Sequence, residues 1–203
     1  MSKEDFSSLH FEIIEDMILE SLGKAASSME QMLKIRVKPK LTGFGAGPIK
    51  DIKEFNELGR FKVNLMRVAF KGDINGALYF IINGHEMDLI NKVVLPNDVN
   101  LKRTSERRMI KHDFMSEIEN LIANQSIAAL SEFLGVEVLP DVPVIKNIRG
   151  DLVNGYLQNE NERIETDFYA KSLLTGVVVN ISPYFIWLFD ENFMRLVRLN
   201  IVT

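Results

Sequence analysis

The stretch from Lys111 to Val144 reads KHDFMSEIENLIANQSIAALSEFLGVEVLPDVPV. Its pattern predicts a long amphipathic helix, followed by a short strand and a turn marked by proline. At 100° per residue, a helix places five apolar side chains of this stretch on one stripe, the face that a helix buries against a core. These side chains are Phe114, Ile118, Leu121, Ile122 and Ala129. The helix should therefore lie against the body of the protein.

The same helix carries a group of polar side chains on another face. Asp113, Glu117, Asn120 and Asn124 fall within an arc of roughly 60° beside the apolar stripe. Two carboxylates and two carboxamides on a rigid support form a candidate functional site. Asn124 and Ile127, which stands at the edge of this arc, are candidate partner contacts, and Ile127 could equally be half-buried.

Composition limits the classes of function. The chain has 203 residues, 46% of them hydrophobic, which is enough for a full core. A net charge of −4 argues against a nucleic-acid-binding protein. There is no cysteine, and no apolar run is long enough to span a bilayer, so we expect a cytoplasmic protein without membrane insertion. His10, His85 and His112 lack the spacing of metal ligands, so we expect no metal or cofactor of its own.

The predicted elements occur in the order helix, strands, helix, and this order repeats. We predict helices at residues 11–33, 86–95, 106–134 and 191–199, strands at 35–41, 61–70, 74–82, 142–148, 164–171 and 175–181, and a linker at 96–105. A shift of 101 residues aligns 29–39 with 130–140, and a shift of 100 aligns 71–78 with 171–178. We therefore predict one domain over residues 1–203, made of two repeats at about 11–95 and 106–199.

Each repeat should lay a long helix over antiparallel strands. The predicted fold class is an α/β two-layer (α+β) structure with pseudo-two-fold symmetry, because short connections favour antiparallel pairing.

The first repeat shows what the fold alone requires of the long helix. At a shift of 101, Glu12 and Asp16 take the places of Asp113 and Glu117, whereas Leu19 and Gly23 take those of the two carboxamides. The fold therefore needs no amide at position 120. Spacing by itself leaves open whether the second helix carries a site or merely a solvated face, because polar residues at this spacing cover most surface helices.

The longer pattern Asp113-x3-Glu117-x2-Asn120-x22-Pro143 resembles the signature of the CheC, CheX and FliY phosphatases of bacterial chemotaxis. The surrounding segments, EIENLIANQSIAALSEFLGVEVLPDVP and GALYFIINGHEMDLINKVVLP, also look like family segments. The resemblance covers about residues 11–197 and is closest to CheC in length and internal duplication.

The resemblance implies hydrolysis of the phosphoaspartate of a CheY-type response regulator, with Mg²⁺ held by the regulator. Asn120 would orient the attacking water, and Glu117 would engage a lysine of the regulator. Asp113 and Pro143 match the signature without an assigned role. The pair Asp16 and Leu19 resembles a degenerate first site, so one active centre per chain is expected. Glu119 and Asn124 depart from the family, which often has small residues at these positions.

Two other readings stay open at this point. The chain could be a non-catalytic CheC-like module that docks on a response regulator, a CheD-type deamidase or the flagellar switch. It could also be a small-molecule enzyme with Glu117 and Asp113 as acid and base, although such catalysis generally needs a concave pocket.

Overall fold

The structure is a computed structural model that describes residues 8–96, 99 and 102–201. Part of the predicted linker at 96–105 and both chain ends lie outside these residues. The described part forms six α-helices and seven strands. In chain order these are α1 (Ser8–Leu33), β1 (Val37–Ala46), α2 (Lys53–Leu58), β2 (Lys62–Gly72), β3 (Gly76–Asn83), α3 (Gly84–Val94), α4 (Thr104–Leu134), β4 (Val138–Pro140), β5 (Val144–Arg149), α5 (Val153–Ile164), β6 (Phe168–Gly176), β7 (Tyr184–Phe189) and α6 (Glu191–Ile201).

The strands form one antiparallel sheet in the order β1-β6-β7-β3-β2-β4, and β5 also pairs with β2. This order is symmetric between the two halves of the chain. The last strands of the two halves, β3 and β7, meet at the centre. The first strands lie at the edges, β1 beside β6 of the second half and β4 beside β2 of the first half. The predicted α+β class with pseudo-two-fold symmetry is confirmed.

The larger core lies between one face of the sheet and the long helices. Ile14, Ile18, Ile118 and Ile122 are fully buried there, and they pack with inward side chains of the central strands such as Trp187. Because α1 and α4 bury long apolar faces, most of the stability of these helices comes from packing rather than from propensity. The two helices also pack against each other, so α4 is supported by both α1 and the sheet.

A smaller apolar cluster covers the opposite face of the sheet under α2 and α5. A buried polar group joins this layer to the sheet: Glu160 Oε2 accepts from Tyr79 Oη at 2.7 Å and from Arg67 Nε at 2.5 Å. Burial raises the pKa of Glu160, but these two hydrogen bonds and the Arg67 charge outweigh it, so the pKa is lowered overall. The carboxylate is therefore held ionised as part of the scaffold.

Several sequence-based expectations need correction. The predicted strands at 164–171 and 175–181 have the wrong bounds, because one strand, β6, spans Phe168–Gly176. Helix α5 continues to Ile164, and residues after Gly176 leave the sheet. The sequence pattern did not predict α2, α5 and β7. The shift of 101 residues agrees with the structure, since it superposes the helix ends Leu33 and Leu134 and the first residues of β1 and β4. The shift of 100 is wrong, because it sets the start of β3 against the end of β6.

Candidate functional site

Helix α4 ends where its sequence favours an end. Gly135 adopts the left-handed conformation with φ 63°, which glycine accepts at low cost, and its N–H donates to Glu132 O at 3.2 Å. The chain then enters the edge strand β4 at Val138. The helix, the glycine turn and the strand together fix the position of the polar face of α4.

The buried face of α4 is wider than the apolar stripe predicts. Ile118, Ile122 and Ala129 are buried as expected, whereas Phe114 and Leu121 are only half-buried. The helix also buries Met115, Glu119, Ala123, Ser126, Ile127, Leu130 and Leu134. The cause is that α4 packs against both α1 and the sheet, so two neighbours cover it.

Ile127 is therefore not the exposed partner contact that its place beside the polar arc suggested. Only 1% of its surface is exposed, and it belongs to the larger core. The angular position of a residue on a helix does not reveal how far a neighbouring element covers that side.

Glu117 and Asn120 are both exposed on the face of α4 that points away from the core. The side chain of Glu117 has no hydrogen-bond or ion-pair partner among the described residues, so its carboxylate is available to an outside group. Asn120 Oδ1 accepts a hydrogen bond from Asn124 Nδ2 at 3.1 Å. The site thus presents an unpaired carboxylate next to a carboxamide that accepts a hydrogen bond from a neighbouring side chain.

Asp113 lies on the same face, one turn before Glu117, and is also exposed. Its carboxylate is 3.5 Å from Nδ1 of His112, and 70% of the Asp113 side chain is exposed. An exposed pair of this kind contributes little to stability. Among the described side chains, Asp113 and Asn120 share no hydrogen bond.

Pro143 lies away from the polar face, in the connection between β4 and β5, directly before the first residue of β5. It is half-buried. Its backbone geometry suits a turn ahead of an edge strand. The structure therefore places it in the connection between two strands of the sheet.

An open groove of about 570 Å³ lies beside the site, between the C-terminal half of α4 and β4. Asn124, Ile127, Ser131, Val136 and Val138 are among the residues that line it. Asn124 thus stands between the carboxamide of Asn120 and this groove.

Glu119 is the unexpected residue of α4, because a carboxyl group is buried where an apolar side chain would be usual. It is 0% exposed, Oε1 accepts from Asn64 Nδ2 at 2.7 Å, and Oε2 has no partner among the described residues. Burial raises the pKa of Glu119 from its ordinary value of 4.5 to about 8, and the hydrogen bond from Asn64 offsets only part of this. Glu119 is thus mainly protonated at neutral pH and does not reach a partner that docks on the other side of the helix.

The corresponding face of α1 lacks the carboxamides. Asp16 is exposed, Leu19 is half-buried against the larger core, and Gly23 is exposed with open space where a side chain would stand. The degenerate first site stays a prediction, and Leu19 has no hydrogen-bonding side chain at the place of Asn120.

In residues 8–96, 99 and 102–201, no group of three His, Asp or Glu side chains is arranged to hold a metal ion. The same residues contain no helix that is both long and apolar enough to cross a membrane.

Comparison with known proteins rests on structure. No family sequence model matches the chain, and no curated protein matches it by sequence. The structure of FliY from Thermotoga maritima superposes with a TM-score of 0.69 at 13% identity, covering 94% of this chain and 95% of FliY. The chain has the FliY fold.

Two further structures share this fold. A chain in the CheX–CheY–BeF3–Mg²⁺ complex from Borrelia burgdorferi matches with a TM-score of 0.53 and 15% identity, over 85% of this chain and 96% of that one. The FliM middle domain from Vibrio alginolyticus matches with a TM-score of 0.53 and 13% identity, over 88% and 92%. The FliY fold thus occurs in CheX and in FliM as well.

Proposed function

We propose that this protein hydrolyses the phosphoaspartate of a phosphorylated CheY-type response regulator, in the cytoplasm. The observation that carries the proposal is the exposure of Glu117 and Asn120 side by side on a helix that is rigidly seated on α1 and the sheet. Their spacing matches the phosphatase signature, and the fold is the one found in CheX and FliY.

The carboxamide of Asn120 suits hydrolysis of an acyl phosphate. Its oxygen accepts a hydrogen bond from a water molecule, and its N–H donates to a phosphoryl oxygen, so it holds the water in line without having to titrate. The water oxygen forms a bond to phosphorus while the bond between phosphorus and the aspartyl oxygen breaks. The aspartate leaves as a carboxylate, the phosphoryl group becomes inorganic phosphate, and the water releases its protons to solvent.

Glu117 would dock the regulator. Its unpaired carboxylate lies on the same face as Asn120 and fits a lysine at the active site of the regulator, which would fix the register of the two proteins. The Mg²⁺ ion that balances charge on the phosphoryl group would belong to the regulator, so no residue of this chain is assigned to it. We assign one active centre to each chain, because α1 carries Leu19 at the place of Asn120.

The competing function is docking without catalysis, on a response regulator, a CheD-type deamidase or the flagellar switch. The observation behind it is that the same fold occurs in the FliM middle domain. The third reading, a small-molecule enzyme using Glu117 and Asp113, loses support, because both carboxylates are on an open face rather than in a pocket.

Loss of phosphate from a phosphorylated regulator decides between catalysis and docking. The wild-type protein should accelerate dephosphorylation, and Asn120→Ala should bind the regulator without accelerating it. Binding by the wild type at an unchanged decay rate would instead establish the docking function.

A further inference from the structure

Asn124 holds the carboxamide of Asn120 in one of its two orientations. Its Nδ2 donates to Asn120 Oδ1 at 3.1 Å, one helical turn away on the same exposed face. An amide group is planar, so an oxygen turned toward Asn124 places the nitrogen of Asn120 on the side away from Asn124. The acceptor of this carboxamide therefore points toward the C-terminal end of α4 in the structure.

This direction matters because hydrolysis uses the two ends of the carboxamide differently. The oxygen of Asn120 keeps one lone pair for water, and its N–H groups are free to meet a phosphoryl oxygen. Donation by Asn124 to the amide oxygen also polarises the group and strengthens its N–H as a donor. A carboxamide turned by 180° would present a donor to the water and an acceptor to a negatively charged phosphoryl oxygen.

The first half of the chain provides an internal comparison. At the equivalent positions α1 has Leu19 and Gly23, so both carboxamides are absent together, although Glu12 and Asp16 keep the carboxylates. No packing constraint accounts for the missing amide at position 23, because a Cβ there meets nothing within 4 Å. The two carboxamides thus behave as a pair that belongs to the active half.

We propose that Asn124 is a positioning residue, which acts through Asn120 by fixing which end of its carboxamide faces the attacking water. The water binds on the Asn124 side of Asn120, and the phosphoryl oxygen binds on the Glu117 side. This inference rests on the proposed phosphatase function.

The test compares kcat and KM of wild type, Asn124→Ala, Asn124→Gln and Asn124→Asp with the phosphorylated regulator as substrate. Alanine leaves the carboxamide free to rotate, so kcat should fall by about 1.5- to twofold, the scale of an exposed i,i+4 bond. Aspartate only accepts and therefore reverses the carboxamide, so kcat should fall by at least about tenfold. Glutamine keeps a donor and should retain more activity than alanine.

KM of the alanine and glutamine variants should stay near the wild-type value, because Glu117 still docks the regulator. Gln125→Ala is the matched control: it removes an exposed carboxamide from the next position of the same helix and should change neither parameter. Equal melting temperatures of all variants will show that α4 is intact.

A second measurement does not depend on turnover. The side-chain amide ¹H–¹⁵N resonances of Asn124 should shift in Asn120→Ala, since the hydrogen bond is lost. Two results would overturn the positioning role and leave the phosphatase function standing. One is that the Asn124 resonances do not change in Asn120→Ala. The other is that the wild type is active and Asn124→Asp is equally active. A wild type without activity would overturn the proposed function and this inference with it.

Discussion

The buried carboxyl group of Glu119 gives the structure a measurable signature. Glu119 is 0% exposed, is hydrogen-bonded through Oε1 to Asn64 and has no partner for Oε2. Replacement by glutamine keeps the shape and the acceptor that faces Asn64, but it removes the group that titrates. The variant should therefore lose a specific part of the pH dependence of folding.

The sign follows from the two states of the carboxyl group. Its pKa is about 8 in the folded protein and ordinarily 4.5, so the unfolded chain releases this proton at a lower pH than the folded one. The contribution of the Glu119 carboxyl group to the free energy of unfolding is fully present below pH 4.5. This contribution is lost progressively as the pH rises to about 8. At about 1.4 kcal/mol per pH unit, tapering near the folded pKa, the loss from pH 6 to pH 8 is about 2 kcal/mol.

Urea unfolding followed by circular dichroism at pH 6, 7 and 8 measures this difference. The free energy of unfolding of wild type should fall by about 2 kcal/mol more than that of Glu119→Gln over this range. At pH 6 the variant should be the less stable protein, because its amide N–H groups have no acceptor in the core. Glu132→Gln, which changes an exposed carboxyl group on the same helix, should follow the wild-type curve. Parallel pH curves for wild type and Glu119→Gln would refute the burial of an uncharged Glu119.

Two glycines give further predictions about stability. Gly23→Ala should raise the free energy of unfolding by about 0.5–1 kcal/mol, because Gly23 lies within α1 with open space around it. Gly76→Ala should lower it by about 1–3 kcal/mol, since the new Cβ would meet Leu188 O at 2.2 Å and the ring of Phe70 at 2.6 Å. Both values can be read from urea unfolding at one pH, and a stabilised Gly76→Ala or a destabilised Gly23→Ala would contradict the packing described for these sites.

The elements that the sequence predicted well are those in which one local pattern decides the structure. The long helices repeat apolar residues at helical spacing, and their ends at Leu33 and Leu134 were predicted to the residue. The strands around β2 and β3 alternate or run apolar, so they too were found. The sheet order was not predicted, because pairing between the halves depends on contacts distant in sequence.

Helix α5 was missed because its packing is largely polar. Asn154 and Asn161 are buried and hydrogen-bond to the backbone of Ile52 and Ile49. Side-chain amides therefore take buried positions of α5 that are apolar in the long helices. The opposite error concerns the predicted strand at 175–181. Its apolar Val178 is 82% exposed, which shows that apolar content alone does not indicate a strand.

The candidate site was only partly accessible from the sequence. Helical geometry placed Glu117 and Asn120 on one face, and both are exposed there. The same geometry could not foresee that a neighbour covers Ile127, nor that Glu119 turns toward Asn64 on β2. The burial of Glu119 had one signal in the sequence: an ionisable residue stands between apolar residues on the side of the helix that faces the core.

The central claim is that Asn120 positions water for hydrolysis of a phosphoaspartate on a partner protein. Its most direct test is the rate of phosphate loss from a phosphorylated CheY-type regulator with wild type and with Asn120→Ala. The wild type should accelerate the loss, and the variant should reduce the acceleration by about 10²–10³-fold, the usual effect of removing one positioned hydrogen-bonding group from a transition state. A decay rate unchanged by the wild type, or accelerated equally by Asn120→Ala, would contradict the claim.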